Sequence, residues 1–430
     1  MGVALVLAAD ATAALRSLAG RTLIERAVLT ARDSGAREVF VLAADEDCAA
    51  RLRDKAASAV VVPMNDLGVL RGALGTCRDA PLLWLSATRV YDVGLAAFPE
   101  WSKGVPEGGE MHVAMFGGPV AEPGLWLSRC DLAGRMDDGA LAAALAAASP
   151  EPLASGIALD IIRHAATAGH AIDVHDSTTA GRAMRALLRG CRKPGDGLVA
   201  RHFNRYVSLF ITGRIAAILP RIAPNHVTAF SVLVGFAASW VLALKGTAGL
   251  ALGASILVVQ EILDGIDGEL ARLTWRSSRL GELLDTGGDV LVLLAFAGTL
   301  CVTVHQDGAH VTALAGFVGL AAWSGFVGLL FGELRAIGRG DILIATARLQ
   351  ERGPLPEGRG LRALHARWVR TVVRFNGVWM RHDVVVPLIL VAGLCDAAPL
   401  VVWFIFGSGL LNLGYGVYRL GAPLSRSALD

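Results

Sequence analysis

DGIDGELARLTWRSSRLGELLDTGGD, residues 264–289, decides how the rest of the chain is read. Four carboxylates fall in it as two pairs, Asp264/Asp267 and Asp285/Asp289. Separations of three and four residues put each pair on one face of a helix, one turn apart. Both flanks are apolar: LGASILVVQEIL precedes the stretch and VLVLLAFAGTLCV follows it. Ionisable groups at the polar end of a membrane-length helix are costly, so their presence points to function. Four carboxylates converging in a partly dehydrated site repel one another and take up protons unless divalent cations neutralise them. Oxygen donors of this kind suit Mg²⁺, Mn²⁺ or Ca²⁺.

Composition agrees with a membrane setting. Of 430 residues, 54% are hydrophobic and only 18% charged, with a mean hydropathy of +0.52. A soluble protein of this size carries more charge. The formal charge of +2 decides nothing by itself. Cys48, Cys77, Cys130, Cys191, Cys301 and Cys395 are scattered without a CxxC pair, which excludes a zinc ribbon or a disulfide framework as an expectation. MGVALVLAAD lacks a basic first segment, so Val3–Ala9 reads as a buried strand and not as a secretory leader.

Residues 1–190 read as a soluble α/β domain. Short apolar runs at 3–7, 39–43, 60–62 and 82–85 alternate with helical stretches such as 22–34, which predicts βα units and a mostly parallel sheet. AGRTLIERAVLTARDSGAREVFVLAADED, residues 19–47, resembles the second conserved block of the sugar nucleotidyltransferases, a Rossmann-like fold. That family runs its first strand into a glycine-rich phosphate loop, whereas Asp10-Ala11-Thr12-Ala13-Ala14-Leu15-Arg16 stands here. Backbone N–H groups approach phosphates less freely where alanine replaces glycine. Ser86, Ala87 and Thr88 stand where a metal-binding aspartate is expected, and AIDVHDST keeps Asp173 but has His175 in place of a second acid. The resemblance with these losses implies a degenerate, inactive nucleotidyltransferase-like domain.

The linker, residues 191–225, interleaves Arg201, Arg205, Arg214 and Arg221 with Phe203, Val207, Phe210, Ile211, Ile215 and Leu219. That pattern predicts an amphipathic helix lying in the membrane interface. Residues 226–430 hold six apolar runs, at roughly 227–245, 248–271, 283–304, 309–332, 382–396 and 398–420, where about 20 residues suffice to cross. Ten arginines between 334 and 381 and three in 272–279 contrast with a single lysine in the opposite loops. By the positive-inside rule the two termini and the aspartate stretch face the cytoplasm across the cell membrane.

The opening stretch fits D-x2-D-G-x2-A-R-x8-G-x3-D-x3-D at every position. It resembles the signature of the CDP-alcohol phosphotransferases. Upstream, Lys193, Asp196, Gly197, Val199, Arg201, Asn204, Arg205 and Ser208, followed by PNHVT, resemble the lead-in to the transferase half of fused enzymes of that family. Among these, the layout is similar to inositol-1-phosphate cytidylyltransferase joined to di-myo-inositol-phosphate phosphate synthase.

The resemblance implies displacement of CMP from a CDP-alcohol by an acceptor hydroxyl, on two divalent ions, Mg²⁺ or Mn²⁺. Asp264, Asp267 and Asp285 would be metal ligands, and Asp289 the general base as well as a ligand. Gly268, Ala271, Arg272 and Gly281 would line the nucleotide pocket, joined by Pro224, Asn225 and Thr228. For those last three, a proline and cap opening the first span serve equally well. Arg335, Arg339, Arg381 and Asp383 are candidates for the acceptor, whether an alcohol or an inositol phosphate; such arginines also serve as topology determinants. Expected partners are the two substrates and the bilayer, with a homodimer allowed and nucleic acid excluded. Two alternatives stay open: a bifunctional enzyme whose first half still makes the CDP-alcohol, and a non-catalytic membrane scaffold.

Overall fold

The computed structural model describes residues 3–91 with short gaps, 125–129, 171–192, 196–337 and 381–420, and a few helical residues between 345 and 371. Thr88, Arg339 and the side chains of Ser86 and Asp173 lie outside the described residues. The chain divides into two compact units, one of residues 1–191 with the pieces 216–220 and 273–275, the other of everything else.

In the first unit β1 (Val3–Ala8) lies between β2 (Glu38–Ala43) and β4 (Pro81–Ser86), parallel to both. β3 (Val60–Pro63) continues in parallel beyond β2. β5 (Leu125–Arg129) closes the other edge antiparallel to β4. β1 and β2 are near-continuous buried apolar runs, as strands covered on both faces must be. Helix α1 (Leu23–Asp33) sets Ile24, Ala27, Val28 and Ala31 against them at helical spacing. Its buried Arg26 donates to the Leu18 carbonyl at 2.8 and 3.0 Å, and burial draws its pKa down to about 10. Asp45 caps α2 (Glu46–Arg53), and Asp176 with Thr179 makes a reciprocal cap on α3 (Ser177–Gly190). The parallel sheet matches expectation; the antiparallel β5, from a segment with no alternating apolar pattern, does not announce itself.

Residues 10–15 form a single helical turn. The Asp10 carboxylate accepts from the Thr12 amide at 2.8 Å, and the Ala14 and Leu15 amides close on the Asp10 and Ala11 carbonyls. Those N–H groups are therefore consumed locally.

The second unit is helical: α4 (Arg205–Ile218), α5 (Pro224–Lys245), α6 (Leu250–Leu273), α7 (Arg279–Gln306), α8 (His310–Ile337), α9 (His382–Leu394) and α10 (Ala398–Leu420). Among the described residues, four helical stretches are long and apolar enough to cross a membrane, the first of them, Pro224–Leu273, containing both α5 and α6. A short 3₁₀ turn at Gly246–Gly249 joins those two, and the Ser231 hydroxyl reaches the Gln260 carbonyl at 3.2 Å across the hairpin. The predicted fifth crossing is a 13-residue helix, α9, shorter than the roughly 20 residues a bilayer asks for. α5 and α7 approach closely because Gly235 faces Val292 and Gly288 faces Val232; a Cβ on either glycine would lie 2.5 Å from a valine methyl. Around that contact Ala238, Leu257, Val292 and Phe296 are fully or almost fully buried. Gly253 in α6 lies close against Phe296 in α7, which sets those two helices side by side.

Candidate active site

Asp264 and Asp267 stand in the last turns of α6, and Asp285 and Asp289 in the first turns of α7. Ser278 starts α7 by accepting the Gly281 amide at 3.0 Å, which sets where the second pair begins. Asp264, Asp267 and Asp285 bring ligand oxygens within 4.8 Å of one another. Asp267 is only 4% exposed. Asp289 is not in that group of three. It lies one turn further along α7 and accepts from the Gln260 amide nitrogen at 3.0 Å.

The donor set is carboxylate oxygen throughout, from two rigid helices, which fits a hard divalent cation. Neighbouring groups hold these carboxylates from outside. The Thr228 hydroxyl donates to Asp267, and Gln260 also contacts Ser231 at 3.3 Å. Such outer partners fix the orientation of the ligating atoms.

The other residues singled out by sequence fall as follows. Pro224 opens α5 at its first turn, as a proline start should. The Asn225 side chain faces Gly281, where a Cβ would lie 3.1 Å from its oxygen. The Arg272 guanidinium lies over Gly268, 3.2 Å from where a Cβ would be. Ala271 is half-buried beside it. Arg335 is exposed in the last turn of α8. Asp383 accepts the Val199 and Ala200 amides at 3.1 and 3.2 Å, and Arg381 at 3.2 Å. Both its oxygens are thereby engaged by the chain itself. Arg205 is turned inward, not out toward lipid headgroups: it donates twice to Asp196, at 2.7 and 2.9 Å, and once to Glu269 at 2.9 Å.

Sequence reasoning missed Gln260, Glu269 and the partnership of Thr228 with Asp267. Gln260 is a polar residue within an apolar run, one turn before Asp264, and that is the signal that could have found it. Glu269 occupies a position the aspartate pattern leaves unspecified.

Membrane-length helices that bring acidic pairs together at their polar ends define a class: a polytopic membrane protein with a carboxylate-built site. Residues 221–337 match the family model described as CDP-alcohol phosphatidyltransferase, and the chain carries a domain of that family there. Among curated relatives, the Bifunctional IPC transferase and DIPP synthase of Thermococcus kodakarensis is 34% identical over 154 residues, covering 34% of this chain and 33% of that protein. The protein of the same name from Aquifex aeolicus is 32% identical over 132 residues, 30% of this chain and 29% of that one. That of Archaeoglobus fulgidus is 33% identical over 132 residues, 30% of this chain and 26% of that one. The match thus spans about a third of the curated relatives' length.

Proposed function

We propose that the protein transfers a substituted phosphate from a CDP-alcohol to an acceptor alcohol at the cytoplasmic side of a cell membrane, releasing CMP. One observation carries this reading: three aspartates from two helices of the family domain converge within 4.8 Å. Asp264, Asp267 and Asp285 would hold one divalent ion, Mg²⁺ or Mn²⁺, and Asp289 would contribute to a second. When bound, the ions neutralise the diphosphate and the departing CMP. Gln260 holds Asp289 through one oxygen, leaving the other to take the acceptor hydroxyl's proton. The acceptor oxygen then forms the new P–O bond, and the bridging oxygen leaves with CMP. Gly268 and Ala271 leave room for the cytidine, and Arg272 faces a phosphate. Asn225 and Gly281 close the pocket where α5 meets α7, with Pro224 and Thr228 fixing that turn. Arg335, Arg339 and Arg381 supply positive charge for the acceptor; Asp383 serves as a cap. The bundle crosses six times, and the first unit stays cytoplasmic.

The first unit is a degenerate nucleotidyltransferase-like domain on this reading. The helical turn at 10–15 supports it, because its Thr12, Ala14 and Leu15 amides are already bonded within the turn and do not face a phosphate. The relatives' printed names join an IPC transferase to a DIPP synthase, and they favour an inositol-phosphate acceptor here. A second donor, CDP-diacylglycerol, is favoured by a cavity of about 230 Å³ lined by Leu293, Phe296, Trp323, Val385, Leu388 and Phe404. It begins one turn beyond Asp289 and suits a hydrocarbon chain.

Mass spectrometry of products decides between the donors. Purified protein is offered CDP-inositol or CDP-diacylglycerol with candidate alcohols and Mg²⁺. CMP and a phosphodiester are expected from CDP-inositol with an inositol phosphate, and neither in excess EDTA. Turnover that persists in EDTA overturns the cation reading, and no CMP from any pair overturns the transferase.

A further inference from the structure

Asp196, Gly197, Asn204, Arg205 and Ser208, part of the lead-in before the first span, have no part in the proposed chemistry. The structure gives each of them a polar contact. Asp196 receives Arg205, and Gly197 lies against the Asp383 carboxylate, where a Cβ would collide. Asn204 hydrogen-bonds Glu261 in α6. Arg205 and Ser208 both donate to Glu269, at 2.9 and 2.6 Å, and Thr212 donates to its other oxygen at 2.6 Å. Arg205, Ser208 and Thr212 recur at three and four residues, so one stripe of α4 meets α6. Glu269 is 0% exposed.

Glu269 follows Asp267 by two residues, roughly 200° around the helix, so the two carboxylates project from opposite faces of α6. Arg205 also approaches the Gly265 carbonyl at 3.5 Å. A Cβ on Gly265 would lie 3.2 Å from the guanidinium. The contacts at 265 and 269 are one turn apart, bracketing Asp267 and beginning one residue after Asp264. Burial alone would lower the pKa of Arg205; its hydrogen bonds and charge pairing with Asp196, and then Glu269, outweigh that and raise it.

We infer that the Asp196–Arg205–Glu269 cluster is a positioning clamp on the back of α6 that sets the rotation of the helix and thereby the cation affinity of the aspartates on its front. The geometry makes rotation the sensitive coordinate. Turning α6 by about ten degrees moves a carboxylate oxygen held roughly 6 Å from its axis by about 1 Å. Ligand distances in metal sites tolerate about 0.2 Å. A carboxylate held by two hydroxyls and a guanidinium resists that rotation, whereas apolar packing alone is non-directional.

The inference rests on the cation reading of the aspartates, and Mn²⁺ binding to the full chain, followed by electron paramagnetic resonance, separates the two. Wild type binds Mn²⁺, and Asp267→Asn weakens that binding. Glu269→Gln, which keeps the volume and removes the charge, raises the Mn²⁺ dissociation constant by about tenfold, the low end for partners behind a metal site. Arg205→Lys falls between it and wild type. At saturating Mg²⁺ the kcat of Glu269→Gln returns to within about twofold, while the Mg²⁺ needed for half-activity stays raised; a general loss of structure would not produce that split. The triple variant Asp196→Asn/Arg205→Met/Glu269→Gln, which removes all three charges of the cluster together, folds and remains weak in Mn²⁺. An unchanged dissociation constant in all three overturns the clamp. Failure of wild type to bind Mn²⁺ overturns the cation reading and the clamp with it.

Discussion

The two faces of α6 carry the same functional group and use it in opposite ways. On the front, Asp264 and Asp267 are aimed at Asp285, so acidic oxygens face acidic oxygens. On the back, Glu269 has both oxygens answered, by two hydroxyls and a guanidinium. Carboxylates that converge on each other need something from outside; a carboxylate that its neighbours satisfy holds structure. Asp383, capped by two backbone amides and Arg381, belongs with the second kind.

Substitutions can break this contrast. The largest effect is expected on the front. Asp289→Asn should lower turnover by about 10²–10⁴, the usual range for removing a general base, with CDP-alcohol affinity within about tenfold of wild type. More than a tenth of wild-type turnover would remove Asp289 from the role. On the back, Arg205→Met removes the cation from between two buried carboxylates, Glu269 and Asp196, and should cost about 3–5 kcal/mol. Chemical denaturation in detergent reads that cost, and a change under about 1 kcal/mol would mean the cluster is solvated in the working protein. Smaller still, Gly197→Ala pushes a methyl group against Asp383 and should cost about 1–3 kcal/mol, as overpacking does. A neutral result in thermal unfolding would show that Asp383 swings away cheaply.

The front was legible in the sequence because eight specified residue types at fixed spacing, set between two apolar runs, rarely arise by chance. The strands of the first unit and the long helices were legible from apolar period and length. The back was not. Arg205 sits among Phe203, Val207 and Phe210, a pattern that reads as an arginine reaching toward headgroups. Period alone says which residues share a face of α4, not which neighbour covers it. Here the buried stripe is the polar one, with Ser208 and Thr212 inside and Tyr206 and Phe210 exposed. Gln260 was overlooked for a related reason: one amide in a long apolar run looks incidental until α7 places Asp289 beside it.

The inward turn of Arg205 also sets an order of events during synthesis. Its partner in α6 is 64 residues further along the chain, whereas Asp196 precedes it by 9. At about 5–20 residues per second, Glu269 leaves the ribosome several seconds after Arg205. For that interval α4 exists with a local ion pair and no helix to close against. Completion of this corner is therefore timed by delivery of α6, and the aspartate face is aligned in the same event that brings Glu269 to Arg205.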